Sequence, residues 1–430
     1  MEFRVTVDLD EFGSREGPKI LYSDKEYGAT TPGKEPRRPD AASLRVPVSG
    51  LLSAHGVEGP SPEVHSGGSV PVLYPGDGNQ EHSGLNSPGR YGFDIFAAVF
   101  YMISRLEEYL PFRGDRYGRF EAGESLAWKH GFIELPVVDL WLEDFRQELE
   151  RRFKGLRPVR EGFRFQPSCD IDLPYAFLHR GPLRTMGAGL RAVLREDREE
   201  RALRRRVLRG EARDPFDTFA EIDSIHSRAG LRPKFFFLTA KYGRYDKSIS
   251  PRGEAFAKLV RQTMKYADPG IHPSYGVRNN FSELAREVKA LSGICGEQVT
   301  RSRQHYLRFG LPGSYRDCIS AGILEDFSMG YASAAGFRAG TARSFLFYDL
   351  LKEEETGLRV FPFQVMDRTL KDYMKLGPAE ALDRILSLSA SVRRTGGTFC
   401  TIWHNDAFSD HGEWNGWKSV YLQLIEALSE

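Results

Sequence analysis

The sequence predicts an α/β fold with a parallel sheet, open or closed into a barrel, preceded by a smaller α+β N-terminal domain. Two observations carry the prediction. Beyond residue 160, short apolar runs alternate with amphipathic helical patterns, and strands alternating with helices imply parallel pairing. Before it, helical patterns follow a stretch rich in Gly, Pro and Ser, without that alternation. The chain has 430 residues, enough for two or three domains of ordinary size. The boundary divides it into 1–160 and 161–430.

Each element follows from local pattern. Met1 to Asp10 alternates apolar and polar residues and reads as a strand. Gly13 to Pro88 holds only short apolar runs, such as Ser69 to Tyr74, so short strands joined by loops are expected. Phe93 to Tyr109 is the first strong helix, preceded by Gly92 and ended by Pro111. Leu135 to Phe153 repeats Leu, Val and Phe at helical spacing. Lys154 to Arg164 is polar, contains Gly155, Pro158 and Gly162, and marks the boundary. The apolar runs beyond it are Phe165 to Asp170, Lys234 to Ala240, Gly270 to His272, Val299 to Phe309, Phe345 to Tyr348, Leu358 to Phe363 and Gly397 to His404. Amphipathic stretches lie between them, among them Pro215 to Ala229, Pro251 to Tyr266 and Asn280 to Leu291. Thr185 to Arg213 is arginine-rich with interleaved Asp and Glu. It reads as a solvated helix face with i,i+4 pairs, or alternatively as a patch for an anionic partner.

Composition removes several function classes. Lys and Arg total 60 against 59 Asp and Glu, a net charge of +1. A dedicated nucleic-acid binder or polybasic membrane protein shows a large excess. No apolar stretch reaches the ~18 residues of a membrane span. The first residues lack a basic region followed by an apolar one, so no signal peptide is expected and a cytoplasmic location follows. Cys169, Cys295, Cys318 and Cys400 form no C-x-x-C and read as reduced thiols. Phosphate-binding loops, G-x-G-x-x-G, G-x-S-x-G and H-E-x-x-H are all missing.

Four segments carry chemistry, each at the expected C-terminal end of a strand, where catalytic residues collect in α/β barrels. In PSCDIDLPY, Asp170 and Asp172 are two apart and face the same way on a strand. Two close carboxylates need a metal or buried cation to stay ionised, or else they are solvated at a turn. In DPGIHPSYG, His272 follows a short apolar run and precedes Pro and Gly, which suits a metal ligand on a loop as well as a structural histidine. In TRSRQHYLRF, Arg301, Arg303 and His305 alternate onto one strand face, toward a site or toward solvent on an edge strand. In TIWHNDAFSDHGEW, His404 ends an apolar strand and is placed to act as a general acid. Trp403, Trp414 and Trp417 are core or sugar-stacking residues. A further segment, Leu324 to Thr341, is rich in small residues. Its Asp326 and Arg338 are paired, line a pocket or lie on the surface.

The order of CDID, IHPSY, SRQHY, AGILEDFSMGY and IWHND resembles the polysaccharide deacetylase family (carbohydrate esterase family four) over about Phe165 to Glu430. PFQVMDRT (Pro362 to Thr369) and GFRAGT are similar to a bacterial branch of it. FDIFAAVFYMISRLEEY and DRYGRF resemble an uncharacterised domain that precedes the module in such proteins. The resemblance implies an irregular seven-stranded α/β barrel and a divalent metal, zinc, that serves hydrolysis of an N-acetyl group on a carbohydrate. It implies Asp170 as general base, Arg303 as its partner, His404 as general acid and Asp326 as the carboxylate orienting His404. Asp172 and His272 match metal ligands. The family's second metal histidine falls on Gly276, which cannot ligate. His305 is the candidate replacement, with Tyr275, Asn279 or a water as alternatives. Tyr275, Arg338 and Trp403 are the expected substrate contacts. A catalytically degenerate sugar-binding protein and a deacylase of a small amide are the rival readings.

Overall fold

The structure is a computed structural model and describes residues 5–6, 11–12, 17–23, 43–66, 68–76, 90–181 and 198–429. The strand expected over Met1 to Asp10 lies almost wholly outside these residues. So does the arginine-rich stretch before Arg198, which continues as a helix over Arg198–Leu208.

In the N-terminal part, β1 (Lys19–Tyr22) pairs in parallel with β2 (Ser43–Val46). β3 (Val64–His65) pairs with antiparallel β4 (Val72–Leu73). The helix expected from Phe93 covers Ile95–Ser104, and Asp94 caps it by accepting from the Ala97 amide at 3.0 Å. It is shorter than the pattern suggests. Arg105 turns left-handed at φ 57° and a 3₁₀ turn follows over Leu106–Glu108. A longer helix spans Val137–Arg152. Their apolar faces enclose a core that includes Phe93, Met102 and Trp141, and it takes in Tyr331, Ala334 and Leu350 from the C-terminal part.

The C-terminal part carries one nine-stranded sheet. Its strands are β5 (Phe163–Ile171), β6 (Lys234–Leu238), β7 (Asp268–His272), β8 (Arg301–Ser302), β9 (Glu325–Asp326), β10 (Phe345–Asp349), β11 (Glu354–Val360), β12 (Val365–Met366) and β13 (Gly397–His404). The order is β10-β11-β9-β8-β7-β6-β5-β13-β12, and only the β10–β11 pairing is antiparallel. The resemblance implies seven strands closed into a barrel; the sheet has nine strands and two edges, and no ladder joins β12 to β10 among the described residues. The two extra strands, β9 and β12, have two residues each, too few for any periodic signal. Helices over Phe219–Arg228, Glu254–Thr263 and Phe281–Cys295 fall where the amphipathic stretches lie. Asn280 caps the last of these and Gly296 ends it in the left-handed region. Helices over Gly313–Ser320, Pro378–Thr395 and Trp417–Leu428 complete the cover.

The parallel register sets the site. His404 of β13 lies opposite Asp170 of β5, and Leu238 of β6 opposite His272 of β7. Three chemically active residues therefore reach one end of the sheet together.

The two parts meet along the segment from Gly330 to Ala342. Gly336 has φ 138° and lies against Ile133, where a Cβ would collide with the Ile133 carbonyl. The Phe337 amide donates to that carbonyl at 2.8 Å. Asp139 accepts from the Thr341 hydroxyl at 2.7 Å and from the Ala342 amide at 2.8 Å. Arg338, expected at the substrate, is instead buried in this seam and forks onto Glu108 at 2.8 and 2.6 Å. Its guanidinium is spent on a carboxylate that is itself out of water, because Arg105 and Arg338 together compensate Glu108 and hold its carboxyl below the usual range against the effect of burial. Arg338→Ala leaves that carboxylate half-compensated, and a loss of about 3 kcal/mol in stability is expected from denaturant titration. A loss below about 1 kcal/mol contradicts it.

All four cysteines are free. Among the described residues no helix is long and apolar enough to cross a membrane.

Candidate metal centre and active site

Asp172 follows β5 directly, His272 ends β7, and His305 opens the 3₁₀ turn His305–Leu307. One ligand atom from each lies within 4.8 Å of the other two. Asp172 Oδ1 is 3.2 Å from His272 Nε2, and Asp172 Oδ2 is 3.4 Å from His305 Nε2. Oδ1 is buried and has no hydrogen-bond partner, an unusual state for a carboxylate oxygen.

Both histidines are fixed from behind. His272 Nδ1 bonds the Arg303 carbonyl. His305 Nδ1 bonds Asp246 Oδ1 at 2.9 Å. An acceptor at Nδ1 sets the tautomer and turns a bare Nε2 toward the centre, the usual support of a metal-bound imidazole. Without a cation, burial opposes protonation of His305, yet Asp172 and Asp246 outweigh it and raise the ring to about 9. Burial likewise works against the Asp172 carboxylate, but His305 and His272 hold it well below the usual range. Two imidazole nitrogens converge on a carboxylate whose buried Oδ1 is unpartnered, so the donor set fits a divalent ion such as zinc.

His305 reaches this place by a route different from the one the pattern suggests. β8 stops at Ser302, so Arg303 and His305 share no strand face. Tyr306 and Leu307 are both left-handed, at φ 59° and 52°, a backbone that non-glycine residues adopt at some strain. This turn swings His305 onto Asp172. Arg301 faces Glu325 at 2.8 Å, away from the centre. Gly276 is exposed, and a Cβ there would meet nothing.

Beside the triad, Asp170 accepts from Arg303 Nη1 at 2.8 Å, with its other oxygen 3.7 Å from His272 Nε2. Arg303 is fully buried, donates also to Ser168 Oγ and the Phe327 carbonyl, and lies 4.2 Å from the Phe236 ring. On the other side, His404 Nε2 is 3.7 Å from Asp172. His404 Nδ1 and its backbone amide both bond Asp367, each at 2.7 Å. Burial disfavours the imidazolium, but Asp367 above all, then Asp172 and Asp170, raise it to about 10.

Asp326 is therefore not the residue on His404. Its carboxylate sits on β9, five places along the sheet from the strand that carries His404, and accepts from Ser302 and from Ser328. Asp367 holds that role in space because β12 pairs with β13 one step before it, Met366 opposite Ile402. Its signal was present in PFQVMDRT. Asp246 was also missed; it lies in the loop after β6, at the sheet end where the other groups collect.

The remaining substrate expectations divide. Trp403 is fully buried against Trp417 and Tyr421; it alternates with His404 on β13 and faces the core, so it stacks on no sugar. Tyr275 lies in a cluster of four tyrosines beside the centre. It stacks on Tyr245 at 4.0 Å and meets Tyr306 at 5.6 Å and Tyr117 at 6.3 Å, while Tyr306 contacts His305 at 4.6 Å. Tyr117 comes from the N-terminal part. Arg119 anchors its segment by bonding Asp115 at 2.7 Å and the Tyr306 carbonyl at 2.8 Å.

The loop that follows His272 rests on a buried acid. The Ser274 amide donates to Glu287 at 2.9 Å. Burial raises the Glu287 carboxyl from 4.5 to about 7. A raised acid stabilises the fold fully below 4.5 and loses that contribution as pH rises through 7. Glu287→Gln keeps the acceptor and removes the charge. The variant is expected to be more stable than the parent at pH 8, by about 2–3 kcal/mol, with the gap closing toward pH 4.5. Thermal melts at pH 8 and pH 5 check it, and a gap independent of pH contradicts it.

A family of unknown function (DUF7033) matches residues 1–154. No curated protein matches the sequence. Solved structures give distant likenesses. A Mycobacterium smegmatis protein described as a polysaccharide deacetylase is 12% identical, with TM-score 0.41, over 63% of this chain and 86% of its own. The Puue allantoinase is 8% identical, with TM-score 0.40, over 64% and 88%. A family 4 carbohydrate esterase from Streptomyces lividans is 11% identical, with TM-score 0.31, over 63% and 91%.

Proposed function

We propose that the chain is a metal-dependent hydrolase that removes an N-acetyl group from an amino sugar of a polysaccharide or its precursor. One observation carries the reading. An Asp–His–His set with an orphaned carboxylate oxygen stands between an arginine-paired aspartate and an aspartate-paired histidine. The order of the motifs along the chain supports it independently.

Asp172, His272 and His305 would hold the cation. A divalent ion there polarises an acyl carbonyl and makes bound water acidic. Asp170 takes the proton from the attacking water, with Arg303 fixing its orientation. The C–N bond then breaks, and His404, held at Nδ1 by Asp367, delivers a proton from Nε2 to the departing amine. Acetate and the free amino sugar are the products.

The test is acetate release from N-acetylated oligosaccharides by metal-loaded protein. Release is expected, with its disappearance in Asp170→Asn. A variant that still releases acetate at the parent rate removes Asp170 from the mechanism. No release from any N-acetylated sugar, with metal bound, removes the reaction itself.

A further inference from the structure

Four arginines surround the tyrosine cluster, and none has a carboxylate partner among the described residues. Arg116 lies over Tyr117 at 4.7 Å, Arg244 over Tyr245 at 5.3 Å and Arg308 over Tyr275 at 4.4 Å. Among the described residues Arg308 donates only to the carbonyls of Tyr117 and Tyr275, and Arg278 only to that of Gly118. The nearby acids are already engaged. Asp115 is taken by Arg119, and Asp246 by His305 and the Tyr275 amide. Burial and the neighbouring Arg308 cation both lower the Arg278 guanidinium below its ordinary value. Like charges gathered there repel one another, and among the described residues no ion pair offsets it; Asp115, already held by Arg119, and Tyr275 act on Arg278 only from a distance.

We propose that these arginines form an anion subsite beside the metal centre. The substrate then carries a phosphate or carboxylate group close to its N-acylated sugar. Guanidinium forks suit either anion, and tyrosine faces suit a sugar ring. The subsite joins both parts of the chain, since Arg116 and Tyr117 belong to the N-terminal domain. That domain is a specificity element, and it reaches the centre through the loop that Arg119 pins to Tyr306. The inference deepens the hydrolase reading and rests on it only for the identity of the reacting sugar.

The experiment has two arms on the full-length, metal-loaded protein. The first is calorimetric titration with glucose 1-phosphate and with glucose, on the parent and on the exposed double variant Arg116→Ala/Arg244→Ala. The second is hydrolysis of N-acetylglucosamine 1-phosphate, N-acetylmuramic acid and N-acetylglucosamine. Glucose 1-phosphate is expected to bind the parent at least tenfold more tightly than glucose, with that advantage lost in the double variant and in high salt. At least one anionic N-acetyl sugar should show a KM at least tenfold below that of the neutral one. A phosphate preference identifies a phosphorylated substrate, and a preference for N-acetylmuramic acid a carboxylated one. Equal affinity for glucose and its phosphate, or binding unchanged by the double variant, overturns the subsite. Charge-dependent binding without turnover of any sugar leaves the subsite standing and removes the hydrolase reading instead.

Discussion

Purified protein is expected to carry about one equivalent of a divalent metal, and His305→Ala to lose it as completely as His272→Ala. The expectation follows from what surrounds each ring. His305 and His272 present Nε2 to the same carboxylate, and each is backed at Nδ1 by an acceptor. A catalytic zinc site takes three protein ligands. Removing one leaves two donors and an empty side-chain volume, too little to hold the ion through dialysis. Asp246→Ala should act more weakly. It frees the His305 ring to rotate without deleting a ligand, and supporting partners of this kind are worth about 10–100-fold in metal affinity. Tyr275→Phe tests the rival third ligand. Tyr275 turns its ring onto Tyr245, so its metal content should equal the parent's. Elemental analysis reads all four variants. Metal retained at parent level in His305→Ala shows that this histidine is not a ligand.

Asp367→Asn should lower turnover of an N-acetylated sugar by roughly 10²–10⁴-fold, nearly as much as His404→Ala. The carboxylate accepts from both the amide and Nδ1 of His404. Asparagine has one carbonyl oxygen for those two donors. Its amide would face Nδ1 with a donor, so the ring stays neutral with its one proton on Nε2, and a neutral imidazole is far too weak an acid to deliver it to the departing amine. The substitution is isosteric and the metal ligands are untouched, so metal content should stay at the parent level while kcat falls. Asp326→Asn supplies the contrast. That residue bonds serines on β8 and after β9, so its effect should fall on stability rather than on kcat. Equal loss of kcat in both asparagine variants refutes the assignment of Asp367 over Asp326.

Much of the centre was legible, and the reason is physical. β6, β13 and the C-terminal ends of β5 and β7 are buried on both faces and write themselves as short, mostly apolar runs. Asp170, His272 and His404 interrupt or end those runs, and a polar group at such a place stands out. Arg303 and His305 both lie at the centre, but not by way of a shared strand face. The alternation suggested a strand, and a left-handed turn does the work. Asp246 and Asp367 were not assigned because a loop and a two-residue strand have no periodicity to read. Arg338 and Trp403 were misplaced for a different reason. Burial decides whether a polar or aromatic side chain meets substrate, and burial is a property of the fold. Nothing local marks Arg338 as the partner of Glu108, since the pairing depends on how the two parts dock.

That docking seam has a consequence for synthesis. The N-terminal core is finished by Tyr331, Ala334 and Leu350, and by the Gly336 backbone resting on Ile133. A ribosome adds roughly 5–20 residues per second, so the early core waits on the order of 10–40 s with an apolar face and the Glu108 carboxylate uncovered. During that interval it is a client for holding chaperones, and the segment from Gly330 to Leu350 serves as its closing clasp.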